Sequence, residues 1–213
     1  IFIQQYPEAE NNLEMLTAEL GDNLVEIFFA GYNTAVPTMC HALFFLAMNP
    51  DVQERLMAEF DSVLEGRKPT VEDLSKLVFC ERVLLETLRL CPPASLISRQ
   101  TTRDLKLEGV DVPRGTRVWM PACAIHRDPD VWGPDANAFN PDRWASEKKP
   151  PRGSFIPFAD GARNCAGRNY AMYEMTLGLF TVLSQFRVAV APDMEWKTIF
   201  TGFGLRPFDY NQA

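Results

Sequence analysis

Cys165 is set in the stretch Phe158-Ala159-Asp160-Gly161-Ala162-Arg163-Asn164-Cys165-Ala166-Gly167, a glycine-flanked loop that leads into an apolar run. A cysteine at the mouth of a helix, with a glycine on either side, is the setting of a thiolate held against a metal. Gly161 lets the backbone take a positive φ, and Gly167 leaves no side chain where a flat macrocycle would lie against the helix. The run from Ala166 to Gln185 reads as that helix, and the unpaired N–H groups at a helix N-terminus favour an anion beside them. The competing reading is a small buried hydrophobe, which is what a solitary cysteine usually is.

Three further constellations stand upstream of the loop. Val78 to Cys91 reads as an amphipathic helix stopped by Pro92-Pro93, and within it Glu86 and Arg89 lie three apart on one face, near enough to pair. Such a pair alone is more often a solvated surface bridge. Phe139-Asn140-Pro141-Asp142-Arg143-Trp144 is a loop that carries an arginine between apolar residues. Ile27 to Pro50 holds no Asp, Glu, Lys or Arg and has the length of a membrane span. Asn33, Thr34, Pro37, Thr38, His41 and Asn49 interrupt it, so the expectation is a buried helix. Pro37 has no N–H to give the carbonyl of Asn33, and the freed carbonyl either binds water or a ligand beside Thr34 or marks a simple packing kink.

The ligand loop resembles that of the cytochrome P450 family, the haem-thiolate monooxygenases, whose form is Phe-x-x-Gly-x-Arg-x-Cys-x-Gly. Phe158, Gly161, Arg163, Cys165 and Gly167 fill its five fixed positions. The resemblance implies that Cys165 is the axial ligand of a haem b iron. Glu86 and Arg89 match the family's Glu-x-x-Arg helix, and Arg143 matches the arginine of its Phe-x-Pro-x-Arg segment. Together they imply a buried triad that holds the ligand loop in place, a task suited to the planar guanidinium fork. Ala30-Gly31-Tyr32-Asn33-Thr34-Ala35 resembles the family's long helix over the oxygen side of the haem, where an acid and a threonine are linked to proton delivery. Here the acidic position is Asn33, and an amide orders water without exchanging protons itself. Thr34 keeps the family's hydroxyl.

Between these motifs the chain changes character. Asp104 to Ala122 reads as short strands, with Glu108-Gly109-Val110-Asp111 and Pro113-Arg114-Gly115 as turns and Thr116 to Met120 as a β-favouring run. The resemblance implies a fold that is mainly α with small β-sheets, the C-terminal haem-binding half of the P450 fold, with residues 1–213 as one partial domain. Arg99 matches the family's propionate-binding arginine, and Arg163 gives a second cation for the two haem carboxylates. His126, in Ala124-Ile125-His126-Arg127-Asp128-Pro129, either hydrogen-bonds a propionate or braces its loop. His41 is expected in the core or beside a channel. Phe28, Phe29, Ala30, Thr34, Ala94 to Ile97 and Phe203 occupy positions that in the family face substrate, and plain core packing is the alternative for each.

With 213 residues, 46% hydrophobic and 23% charged, the chain can bury a sizeable core, and it contains no repeat or low-complexity tract. Cys40, Cys80, Cys91, Cys123 and Cys165 form no Cys-x-x-Cys pair, which argues against a zinc site or disulfide framework and for a reducing compartment. A net charge of −7 gives no support for nucleic-acid binding. Arg143, Lys148, Lys149, Arg152 and Arg168 flank the ligand loop, a basic patch suited to an acidic flavin reductase or ferredoxin-type donor.

The resemblance implies a monooxygenase that inserts one oxygen atom from O₂ into an apolar organic substrate, with electrons from NADPH through a reductase. It implies the cytosolic face of the endoplasmic reticulum membrane for a eukaryotic full-length protein, anchored through a part outside this chain, and the cytoplasm otherwise. Asn33 favours a haem-thiolate peroxide isomerase or lyase as the second reading. The third is a truncated, non-functional fragment, suggested by a start at Ile1 without methionine.

Overall fold

The computed structural model describes residues 13–146, 149–192, 196–200 and 205–209. Two compact units divide between Thr34 and Ala35. Helix α1, Leu13–Met48, runs through Pro37 and through the division. In the first unit its apolar side chains are largely in the open: Leu24, Ile27 and Phe28 are exposed, and Phe28 stacks on Tyr32. In the second unit Ala35, Thr38, His41, Ala42 and Leu46 are buried. His41 donates from Nδ1 to the carbonyl of Pro37 one turn back at 2.7 Å, and burial pulls its imidazole pKa down, the mark of a core histidine. No helix among the described residues is long and apolar enough to cross a membrane.

Helix α2, Pro50–Leu64, starts with proline at its first position and ends at Glu65 in the left-handed region. Val52, Leu56, Phe60 and Leu64 recur every four residues and form its buried stripe. A short helix α3, Val71–Leu74, is closed by a capping box between Thr70 and Asp73. Helix α4, Val78–Leu90, follows. Helices α5, Ala122–Ile125, and α6, Pro129–Trp132, are single turns in the segment that links the sheets to the ligand loop. Helix α7, Arg168–Leu183, begins two residues later than the pattern predicts, after Gly167. The main core joins the buried side of α1 to Leu56 and Phe60 of α2, Val83, Leu84 and Leu88 of α4, and Met175, Leu179 and Leu183 of α7. Gly178 permits the close approach of Met39, since a Cβ there would lie 2.8 Å from the methionine methyl carbon.

The sheets are small and antiparallel. Strand β1, Ile97–Gln100, pairs with β4, Arg117–Met120, so that Arg99 lies within the sheet, opposite Val118. Strands β2, Leu105–Leu107, and β3, Val110–Val112, form a hairpin around Glu108 and Gly109. Both turn residues have positive φ, 45° and 85°, as a two-residue turn that follows strand twist requires. Strands β5, Trp196–Phe200, and β6, Leu205–Asp209, pair with each other.

Two long-range side-chain contacts fix the helices. The amide of buried Gln53 donates to the carbonyls of Leu46 and Val188 and accepts the N–H of Val188 at 2.8 Å, clamping the chain after α7 to the end of α1. Leu77, at the N-cap of α4, offers no capping oxygen. Glu59 of α2 supplies it: its two carboxylate oxygens accept the N–H groups of Phe79 and Cys80 at 2.6 and 2.8 Å. Loss of a cap costs about 1 to 2 kcal/mol. Glu59→Ala in the full-length protein therefore lowers the unfolding free energy from urea titration by an amount in that range, and Glu59→Gln, which keeps one acceptor, by less.

Candidate functional site

The ligand loop folds back on itself before helix α7 begins. The N–H of Cys165 donates to the carbonyl of Phe158 at 2.9 Å, that of Asn164 to Gly161 at 3.1 Å, and that of Ala159 to Ile156 at 3.1 Å. Ala159 and Gly161 both have positive φ, 59° and 80°. Glycine takes that conformation freely, whereas Ala159 carries a local strain that the surrounding contacts must hold. Ala159 packs on the small core of Ile97, Ala122 and Ile156, and Phe158 packs on the main core with the guanidinium of Arg168 5.6 Å from its ring. The loop is thus anchored at its base and open at its tip, where residues 161 to 170 are exposed.

All five cysteines are free, and Cys165 is the exposed one. Burial pushes the Cys91 thiol up to about 11 and raises those of Cys40 and Cys80. None of those three is suited to bind a metal as thiolate. Among the described residues no group of three or more His, Cys, Asp or Glu side chains gathers to hold a metal. A Cβ on Gly167 would lie 3.9 Å from Sγ, in ordinary contact with the sulfur. Arg99, from strand β1, reaches the carbonyl of Arg163 at 3.4 Å. Two exposed guanidinium-bearing residues therefore stand beside the loop, a fit for a macrocycle with carboxylate arms.

Behind the loop lies a dense buried network. Glu86 and Arg89 have fully buried side chains and meet through two hydrogen bonds, Nε to Oε2 at 2.9 Å and Nη2 to Oε1 at 2.8 Å. The remaining donors of Arg89 go to the carbonyls of His126, Ala136 and Ala138 at 2.8, 2.6 and 3.1 Å, so all five guanidinium N–H groups are used. Trp132 stacks on this guanidinium at 5.1 Å. Glu86 also accepts the backbone N–H of Asn140, Nε of Arg143 at 3.4 Å and Nε1 of Trp144 at 2.9 Å. Arg143 turns its other nitrogens to the carbonyls of Trp132 and Asp135 and to the carboxylate of Asp135. The structure thus brings Glu86, Arg89 and Arg143 together in the interior.

His126 is also fully buried, and its arrangement is that of a loop brace. Nε2 accepts the backbone N–H of Ile156 at 2.8 Å, and the ring lies 5.2 Å from Phe155. Burial pulls the imidazole down to about 4, the charges of Arg89 and Arg127 add to that effect, and the backbone of Arg89 and Leu88 opposes it. The ring is neutral at pH 7 and carries its proton on Nδ1. The hydrogen bond at Nε2 goes to the chain's own backbone, and a bond from Nδ1–H to a haem carboxylate is the other role expected of this ring.

The remaining candidates are scattered. Thr34 donates to the carbonyl of Ala30 at 2.8 Å and Asn33 to that of Phe29 at 3.1 Å, each one turn back along the first unit's helix. Phe28, Phe29, Ala30 and Thr34 are exposed there. Ala94 is half-buried, and Ile97 is buried in the small core. A cleft of about 390 Å³ is lined by Ile97, Arg99, Met120, Ile156, Ala159 and Asp160, among others. Phe203 and Lys148 lie outside the described residues. The expected basic patch is thinner than the composition suggests: Arg143 is spent in the interior, while Lys149, Arg152 and Arg168 are exposed, Arg152 within 3.4 Å of Asp160. Trp144 and the carbonyls that receive Arg89 are contributors that sequence reasoning did not assign. A tryptophan directly after Arg143 was the available signal.

A family model described as "Cytochrome P450" matches residues 1–211. The chain is 42% identical over 176 residues to cytochrome P450 714C2 of Oryza sativa subsp. japonica, covering 81% of this chain and 34% of that protein. It is 40% identical over 172 residues to a cytokinin hydroxylase of Arabidopsis thaliana, covering 80% of this chain and 33% of that protein. It is 36% identical over 183 residues to pentalenene oxygenase of Streptomyces avermitilis, covering 85% of this chain and 40% of that protein. The chain thus spans between a third and two fifths of the length of these curated relatives.

Proposed function

The chain belongs to the cytochrome P450 family, and from that premise we propose that the protein it forms part of is a haem-dependent monooxygenase inserting one oxygen atom from O₂ into an apolar organic molecule. The observation that carries this reading is the exposed thiol of Cys165 on a loop with buried anchors, backed by the Glu86–Arg89–Arg143 network. Haem b, when bound, supplies a redox iron at which O₂ is reduced, and an axial thiolate adds electron density that favours O–O cleavage. Cys165 is the residue that binds it. Arg99 and Arg163 balance the two carboxylates, and Glu86, Arg89 and Arg143 hold the loop at a fixed height. Phe158, Gly161 and Gly167 would shape the loop surface that receives the macrocycle.

Thr34 is proposed to pass protons through water that Asn33 helps to order. Phe28, Phe29, Ala30, Ala94, Ile97 and Phe203 are proposed to face substrate. The names of the relatives, a cytokinin hydroxylase and pentalenene oxygenase, support oxygen insertion into a small organic molecule. Electrons come from NADPH through a flavin reductase or a ferredoxin-type donor, received near exposed Lys149, Arg152 and Arg168. Localisation follows the source: the cytosolic face of the endoplasmic reticulum in a eukaryote, and the cytoplasm otherwise. The test supplies the full-length protein either with O₂, NADPH and reductase or with a lipid hydroperoxide alone. Product in the first mixture supports the monooxygenase, and product only in the second supports a peroxide isomerase or lyase, the reading Asn33 favours.

Asn33 sharpens the test. An amide cannot release and regain a proton, so proton delivery is inefficient and part of the electron flow leaves as peroxide or superoxide. Asn33→Asp raises product formed per NADPH, with little change in substrate affinity, and Thr34→Ala lowers that ratio. Product, peroxide and NADPH measured together check both. Tight coupling in the wild type, unchanged by Asn33→Asp, overturns the account.

A further inference from the structure

His126 is held from one side and holds from the other. Its backbone carbonyl accepts Nη1 of Arg89 at 2.8 Å, and its ring nitrogen Nε2 accepts the N–H of Ile156 at 2.8 Å. Ile156 opens the turn that carries Cys165: its own carbonyl accepts Ala159, and Phe158 accepts Cys165. A continuous path therefore runs from the Glu86–Arg89 pair through the backbone and ring of one residue to the base of the ligand loop. The ring is fixed along the path. Phe155 lies against it at 5.2 Å, and Phe155 in turn packs against Trp144 at 4.6 Å and Trp132 at 6.2 Å. Trp144 donates to Glu86 and Trp132 stacks on Arg89, so the aromatic cluster leads back to the same ion pair.

The hydrogen bond at Ile156 is the part of this path that asks for a particular side chain. An N–H buried at that point needs an acceptor. The neutral imidazole, accepting at Nε2 with its proton on Nδ1, supplies one on a rigid ring. A residue chosen only to fill space there would need no acceptor at all. We propose that His126 is a positioning residue that couples the buried Glu86–Arg89 network to the ligand loop through Ile156 and so sets the geometry in which the Cys165 sulfur meets the iron.

This inference rests on the haem-thiolate reading, and the experiment keeps the two apart. The full-length holoprotein is reduced under carbon monoxide, and the share of its haem that shows the red-shifted Soret band of thiolate ligation is measured with haem content and the urea midpoint. His126→Phe keeps an aromatic ring and removes the acceptor. It is expected to lower the thiolate-type share several-fold while haem is retained. His126→Gln, whose Oε1 stands where Nε2 stood, is expected to restore most of that share, and His126→Asn, too short to reach Ile156, is not. Should His126→Phe fail to fold, the Gln and Asn variants carry the comparison, since both are amides and differ in reach. A full thiolate band in His126→Phe, or equal bands in the Gln and Asn variants, overturns the proposal. So does a thiolate share that tracks the urea midpoint across all variants, because it would show a purely structural residue. A wild type without the red-shifted band overturns the haem-thiolate reading itself.

Discussion

In the full-length protein, reduced under carbon monoxide, Cys165→His removes the red-shifted Soret band of thiolate ligation completely. The expectation rests on the placement of the thiols. Cys80 and Cys91 are buried, and burial raises both, as it does the partly buried Cys40, away from the thiolate form a metal needs. Cys165 alone is exposed, at the tip of a loop whose base is anchored by Phe158 and Ala159. Histidine can bind iron but brings no thiolate, so haem can remain while the band is lost. That separation between haem content and band position identifies the ligand. A mutant spectrum identical to the wild type shows that the sulfur comes from elsewhere and removes the basis for the proposed function.

Glu86→Ala and Arg89→Ala each yield protein without haem. Removing one side of a buried ion pair leaves the other charge uncompensated, at a cost of roughly 3 to 5 kcal/mol. Against a total stability of about 5 to 15 kcal/mol, that loss is large. Here the cost is compounded by hydrogen bonding, because Glu86 receives Arg89, Asn140, Arg143 and Trp144, and Arg89 serves three backbone carbonyls besides. Arg89→Lys is expected to fail as well. A lysine ammonium offers three donors from a single point, while the site is built for five in a planar fork. Haem content of the purified full-length variants, measured beside wild type, decides the matter, and normal occupancy in both alanine variants shows that the network does not govern the site.

The parts of this protein legible in its sequence are those written in short spacing. The ligand loop, the helix that carries Glu86 and Arg89 and the hairpin turn at Gly109 each occupy a few consecutive residues whose types answer a local requirement. The mainly helical architecture with small sheets agrees with what the family resemblance implied. Long-range partners left no such trace. Glu59 capping a helix some twenty residues away, Gln53 clamping Val188 and the N–H of Ile156 resting on His126 pair residues that no periodicity connects. Strand β1 went unread because Ile-Ser-Arg-Gln has no run of β-branched residues, and its pairing with Arg117–Met120 decides its state. Arg143 was counted both in the implied buried triad and in the basic patch, and its side chain, 14% exposed and held by Glu86 and Asp135, belongs to the first.

The fan of carbonyls gathered by Arg89 bears on how this region opens to solvent. Residues 126 to 138 contain only one short helical turn, and a segment with so little regular structure would ordinarily open locally at small cost. At His126, Ala136 and Ala138, however, lifting the backbone away strands a buried guanidinium whose every donor had been satisfied. The segment therefore cannot open without helix Val78–Leu90 losing the partners of its own ion pair. Amide exchange across it should follow the slow, cooperative openings of that helix and not the rapid fluctuations of a surface loop, so that an irregular stretch of chain shares the lifetime of the core.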